Sequence, residues 1–223
     1  QYLYLYIPLL TMGLMSRELS SGSIKLLYSS PVTNTQIILG KYLSMMIYNL
    51  VLMCIFAVYL LFAAITIKSA DIPLILSGML GLYLLVCAYA AIGLFMSSIT
   101  SYQVVAAMGT LAVLAVLNLV GGLWQDIEFV RDITYWLAIN GRAQEFINGL
   151  ICSEDVLYFV IVVVLFLFLS IIRLQSRRQR TTWMTTVGKY GSVIVIAMLL
   201  GYLTSRPKLM CFYDTTATKQ RTL

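Results

Sequence analysis

The stretch SRELSSGSIKLLYSSPVTNTQIILGK, residues 16–41, is a polar interruption between two long apolar runs. Its central part, SIKLLYS, carries apolar side chains at helical spacing. Ile24, Leu27 and Tyr28 would share one face of a short helix, with Lys25 off that face. We therefore expect an amphipathic helix here, of the kind that lies on a membrane surface or binds a partner.

Two local signals set the ends of this helix. Pro31 disfavours helical geometry at Ser30, so the helix is expected to end there. Thr33 and Gln36 have the S/T-x-x-Q spacing of a capping box, which begins a second helix. That second helix would continue into the apolar run that starts at Tyr42.

The composition on either side of this stretch is that of an integral membrane protein. The 223 residues are 61% hydrophobic and 11% charged, with a mean hydropathy of +0.91. Soluble domains have roughly 45–50% apolar and about 25% charged residues. Apolar runs of about 20 residues recur, and each is long enough to cross a hydrocarbon core of roughly 30 Å.

Because these runs are continuously apolar, with no period-two alternation, they predict helices rather than barrel strands. The fold class is therefore an all-α polytopic helix bundle with about six membrane helices. The predicted spans are residues 1–15, 42–66, 74–96, 104–124, 156–172 and 190–203. The chain opens inside the first run at Gln1, which predicts that an earlier part of the protein precedes it.

The distribution of charge predicts the orientation, because Lys and Arg are enriched on the cytoplasmic side of a membrane. The predicted cytoplasmic cations are Arg17, Lys25, Lys41, Arg173, Arg177, Arg178, Arg180 and Lys189. The predicted external acids are Asp71, Asp126, Glu128, Asp132, Glu145, Glu154, Asp155 and Asp214. The net charge of +6 is then explained by topology and by contact with anionic membrane lipids, and no nucleic-acid partner is expected.

The sequence argues against an enzyme. It has no histidine, which excludes His-based catalysis and His-ligated metal sites, and no GxxxxGK[ST] motif for a nucleotide. We predict no catalytic residue, no metal and no cofactor of its own. Cys152 and Cys211 both fall on the predicted external side, and whether they pair is open.

The opening segment resembles the signature of ABC-2 type transporter permeases, in which an acidic residue, a Gly-Ser pair, a Leu-Leu pair, a proline and a Gly-Lys pair follow in this order. The matching positions are Glu18, Gly22, Ser23, Leu26, Leu27, Pro31, Gly40 and Lys41. In that family the segment is the coupling helix, which joins the second and third membrane helices and contacts the ATPase subunit. The resemblance implies that the first helix of the family is missing here.

The resemblance also implies partners and a binding site. The partners are an ABC ATPase subunit, which binds the ATP, and a second permease half, identical or different. The expected ATPase-docking residues are Arg17, Glu18, Gly22, Ser23, Ile24, Leu26, Leu27, Tyr28 and Pro31. Among them Ile24, Leu27 and Tyr28 would form the apolar docking face, and Glu18 a polar contact.

The C-terminal sequence RPKLMCFYDTTATKQRTL resembles the start of the periplasmic component of gliding-motility-associated ABC systems. The matching positions are Tyr213, Asp214, Thr216, Lys219, Thr222 and Leu223. This resemblance implies that the chain has two parts. Residues 1–175 would be a permease transmembrane domain. Residues 176–223 would be a basic linker, a membrane anchor and the start of a fused extracytoplasmic auxiliary domain.

The function implied is a permease subunit of an ATP-driven exporter in the bacterial inner membrane, linked to gliding motility. It would couple ATP hydrolysis on a separate subunit to transport or to mechanical work. Two alternatives remain open. The first is a secondary carrier, which would need ionisable residues within its spans. The five predicted runs before residue 190 have none between their ends. A membrane scaffold that transports nothing is compatible with the sequence.

Overall fold

The computed structural model of the chain describes residues 3–66, 72–120, 150–179, 183–204 and 212–214. Within these ranges the chain forms eight α-helices and two short β-strands. The elements are α1 (Leu3–Thr11), α2 (Gly13–Ser21), α3 (Ile24–Ser29), α4 (Asn34–Thr66), α5 (Ile72–Ile99), α6 (Gln103–Val120), β1 (Leu150–Cys152), α7 (Ser153–Gln179), α8 (Trp183–Thr204) and β2 (Phe212–Asp214).

The predicted helical membrane bundle is confirmed. Three helices contain stretches long and apolar enough to cross a membrane, namely Asn34–Phe62 of α4, Ile72–Ile99 of α5 and Asp155–Arg177 of α7. Helices α6 and α8 contain shorter apolar stretches, Gln103–Asn118 and Gly188–Leu199. Helix α1 lies within the first predicted span, so each of the six predicted spans overlaps a described helix.

The predicted helix boundaries around the proline are also confirmed. Ser30 ends α3 in an extended conformation, with φ −82° and ψ 153°, as expected for a residue before proline. The capping box before α4 is complete: the Thr33 N–H donates to Gln36 Oε1 at 3.0 Å, and the Gln36 N–H donates to Thr33 Oγ1 at 3.3 Å.

Helix α5 lies at the centre of the bundle and packs against α1, α2, α4, α6 and α7. Residues 85–94 of this helix are all buried. Because ten consecutive helical residues point in every direction around the axis, α5 is enclosed on all sides over this length. Its Gly93 lies directly against Thr11 of α1, and a Cβ at Gly93 would collide with the Thr11 side chain.

The two strands are an addition to the predicted fold. They pair antiparallel, with Leu150 opposite Asp214 and Cys152 opposite Phe212. The pairing joins the segment before α7 to the segment after α8, so α7 and α8 run in opposite directions between the two strands. Sequence patterns cannot reveal such a short pairing because each strand has only three residues.

Some predictions fall outside the described residues. These are Asp71, the external region 121–149, Arg180, Cys211 and the C-terminal positions from 215 onward. The pairing of Cys152 with Cys211 and the division of the chain after residue 175 stay predictions.

Candidate functional site: the segment between α1 and α4

Residues 12–33, here called the connecting segment, leave α1 at a break in the helix. The break at Met12 is stabilised by Ser97 of α5. Ser97 Oγ accepts the backbone N–H groups of Met15 and Ser16, each at 3.0 Å, and donates to the Met12 carbonyl at 2.9 Å. These backbone groups belong to an interrupted helical ladder, and the buried Ser97 hydroxyl contacts all three, while the Met12 carbonyl also accepts from Ser16 Oγ.

Gly22 makes the turn between α2 and α3. It has φ 74° and ψ 0°, a left-handed conformation that glycine adopts without the steric penalty of a side chain. The turn continues through Ser23, whose Oγ lies 2.8 Å from Ser21 Oγ. Two of the predicted site residues, Gly22 and Ser23, are therefore placed where they shape the turn before α3.

An ion pair joins α2 to the start of α4. Lys41 Nζ lies 2.6 Å from Glu18 Oε1 and 2.6 Å from the Leu14 carbonyl oxygen. The side chains are 20% exposed at Lys41 and 29% exposed at Glu18, so water screens the pair only partly. The second carboxylate oxygen of Glu18 is buried and has no hydrogen-bond partner among the described residues. Glu18, expected as a polar contact for a partner, thus has an internal partner.

The apolar face of α3 rests on the bundle. Ile24 is 8% exposed and belongs to a buried cluster that includes Met15, Ile38 and Leu174, and Leu27 and Tyr28 pack against the same cluster. The three residues do share one face, as their spacing predicts. In this structure that face holds α3 onto the helices beneath it, and its predicted contact with an ATPase stays a prediction.

The opposite face of α3 points outward. Leu26 is 74% exposed, and Lys25 and Ser29 on either side of it are exposed as well. The residues that the structure describes therefore cover only a small part of the Leu26 side chain. The sequence places Lys25 off the apolar face, and the structure confirms this, whereas neither Lys25 nor Ser29 was predicted as a docking residue.

The remaining predicted site residues lie at the two ends of this outward surface. Arg17 is exposed on α2, and Pro31 is exposed after α3. Pro31 also lines a surface cavity of about 410 Å³, whose other wall is formed by Ile171 and Gln175 of α7. The connecting segment therefore contacts α4, α5 and α7 on its inner side and is open on its outer side.

A second cation stabilises the same end of the bundle. Arg177 of α7 donates from Nη2 to the Ile99 carbonyl at 2.6 Å, where the last turn of α5 leaves carbonyls without helical partners. Neither Arg177 nor Ser97 was identified as a site residue from the sequence. The sequence feature that could have identified Ser97 is its place in the polar dipeptide Ser97-Ser98 near the end of an apolar run.

Comparison with known proteins gives one match. A family model described as ABC-2 family transporter protein matches residues 3–178, which include α1 to α6 and all but the last residue of α7. No curated protein and no solved structure matches the chain significantly.

Proposed function

Because the chain belongs to the ABC-2 family transporter proteins, we propose that it is the permease subunit of an ATP-driven exporter whose connecting segment receives the motion of a separate ATPase subunit. Members of this family are membrane components of ABC transporters that lack the ATPase site, generally work with an ABC ATPase and dimerise. The chain is accordingly a multi-pass membrane protein and a permease component.

The observation that carries the proposal is the two-sided character of α3. Its inner face is buried in the bundle, and its outer face presents Leu26 between Lys25 and Ser29. A few apolar anchors with flanking polar groups are the usual means by which a short helix binds a groove. We propose Leu26 as the anchor in the ATPase groove, with Lys25 and Arg17 as charged contacts around it.

The inner contacts explain how a force on α3 would reach the membrane helices. Ile24 packs on the cluster shared with α4, α5 and α7, the Glu18–Lys41 ion pair joins α2 to α4, and Ser97 joins α2 to α5. A displacement of the connecting segment would therefore act on α4 and α5 together. Each contact is a discrete physical connection that can be removed singly and tested.

The test is co-purification in detergent of the full-length protein with the candidate ATPase subunits, comparing wild type with Leu26→Asp. We expect the variant to lose at least about tenfold in affinity, as for a central interface residue. Tyr102→Asp is the matched control, since Tyr102 is also 74% exposed and lies in the turn after α5, at the same end of the bundle. This control should bind like wild type.

Leu26→Asp is a sharper test than Leu27→Asp. Leu27 packs against the buried cluster beneath α3, so a carboxylate there would disturb the bundle as well as any interface. Wild-type affinity in Leu26→Asp, with ATPase activity still stimulated by the chain, would contradict the proposed anchor.

We further propose that the protein lies in a bacterial inner membrane, with a second permease half beside it and a link to gliding motility. Residues 176–223 would be an anchor and the start of a fused extracytoplasmic component. The C-terminal resemblance supports this, as does the pairing of β2 with β1 at the predicted external end. The alternative is a scaffold that transports nothing. ATP hydrolysis that requires this chain, with no substrate crossing a reconstituted membrane, would favour the scaffold.

A further inference from the structure

Two arginines lie one helical turn apart near the end of α7, at the end of the bundle that carries the connecting segment. Arg173 and Arg177 are both half-buried. Arg177 uses one nitrogen to bind the Ile99 carbonyl. The Nε atom of Arg173 is buried and has no hydrogen-bond partner among the described residues. Because the two residues are four positions apart on one helix, their side chains lie on the same face of α7.

No acidic side chain among the described residues neutralises this pair. Glu18 is held by Lys41. Glu154, Asp155 and Asp214 lie at the opposite end of α7, where Asp155 is about 27 Å from Arg173 and about 33 Å from Arg177 for a rise of 1.5 Å per residue. Two partly desolvated cations without a counter-ion are unfavourable, since neither water nor a carboxylate fully compensates them.

Two tyrosines flank the arginine pair. Tyr28 of α3 packs against the buried cluster that includes Leu174 of α7, the residue after Arg173. Tyr190 lies on α8, which packs along α7, and it is within electrostatic range of Arg173. Phenol hydroxyls can donate hydrogen bonds to the same anion as the guanidinium groups.

We propose that Arg173 and Arg177 form a binding site for a phosphate group, with Tyr28 and Tyr190 at its sides. Guanidinium groups bind phosphate oxygens through paired N–H donors, which gives both charge compensation and defined geometry. Arg177 is the last residue of the apolar stretch of α7, which places the site at the level of lipid headgroups. The phosphate would come from an anionic lipid or from a soluble phosphate compound.

The experiment measures the thermal stability of the full-length protein in delipidated detergent micelles, titrated with phosphatidylglycerol, phosphatidylcholine or inorganic phosphate. Wild type should be stabilised more strongly by phosphatidylglycerol than by phosphatidylcholine, because the choline ammonium group of the latter neutralises the charge of its phosphate. Arg173→Gln should require at least about tenfold more phosphatidylglycerol for half-maximal stabilisation, the loss expected from removing charge-assisted hydrogen bonds. Lys189→Gln is the control, because it removes the same charge from an exposed side chain beside Tyr190, and it should change this concentration less than about twofold.

Without added anion, Arg173→Gln should be at least as stable as wild type, because it removes an unpaired, half-buried charge. If Arg173 served only to orient α7, its replacement would lower the stability both with and without added anion. If Arg173→Gln cannot be purified, Arg173→Lys replaces it. This variant keeps the positive charge but lacks the planar guanidinium group, and it should weaken the response to phosphatidylglycerol several-fold.

The titrations also identify the source of the phosphate. Stabilisation by phosphatidylglycerol that inorganic phosphate neither reproduces nor competes with indicates a lipid headgroup. Stabilisation by inorganic phosphate at millimolar concentration indicates a soluble phosphate compound. Equal responses to the two lipids with no response to inorganic phosphate, or a wild-type response in the Arg173 variants, would overturn the proposal.

Discussion

The central helix α5 and the connecting segment are stabilised in different ways. Along residues 85–94, α5 is enclosed by apolar neighbours, and its position depends on many individually weak contacts. The connecting segment consists of two short helices that pack on the bundle through Met15 and Ile24 and are positioned by a few polar contacts, chiefly Ser97 with the break at Met12 and Glu18 with Lys41. One substitution in the segment can therefore change its position while the bundle stays folded, which suits a region that transmits motion.

The largest effect is expected where α5 and α1 approach most closely. Gly93→Leu would place a side chain in the space that Thr11 occupies, so α1 must move away from α5. We expect about 3 kcal/mol or more of lost stability, measured by unfolding in mixed micelles. Gly40→Ala is the control, because nothing lies within 4 Å of a Cβ there. If Gly93→Leu were as stable as Gly40→Ala, the close packing described here for α5 would be wrong.

A smaller effect is expected at the helix break. Ser97→Ala removes the acceptor of two backbone N–H groups and the donor to the Met12 carbonyl. The loss should be about 2 kcal/mol, since the buried N–H groups of Met15 and Ser16 lose their acceptor. Among the described residues the neighbouring Ser98 bonds to the Phe95 carbonyl of its own helix at 2.6 Å, so Ser98→Ala should cost less than about 0.5 kcal/mol. Equal losses in the two variants would show that Ser97 has no special role.

The smallest effect on stability is expected at the Glu18–Lys41 ion pair, because both side chains are partly exposed. A double-mutant cycle with Glu18→Gln and Lys41→Gln should give a coupling energy of about 1 kcal/mol. The same variants should hydrolyse ATP with the ATPase subunit bound while transporting less per ATP, because α2 is no longer joined to α4. If the losses of stability were additive and the amount transported per ATP were unchanged, the ion pair would have no part in coupling.

Local chemistry made parts of this site predictable. Pro31, Thr33 and Gln36 act through neighbours within a few residues, and the sequence alone predicts the end of α3 and the start of α4. The grouping of Ile24 with Leu27 on one face likewise follows from helical spacing.

The long-range contacts could not be predicted. Glu18 and Lys41 are 23 residues apart and Ser16 and Ser97 are 81 apart, and a single sequence carries no sign that such residues meet. Ser97 is moreover a small residue in an apolar run, where most serines bond to their own helix, as Ser98 does. The outward direction of Leu26 could not be predicted either, because it follows from the packing of Ile24 beneath it.

The pairing of β1 with β2 has a consequence for the order of synthesis. Phe212 follows its partner Cys152 by 60 residues, and α7 and α8 lie between them. During translation β1 emerges first and stays without its partner until both helices have been synthesised. The strand pair is therefore one of the last contacts to form, and a chain in which α8 did not run antiparallel to α7 could not form it.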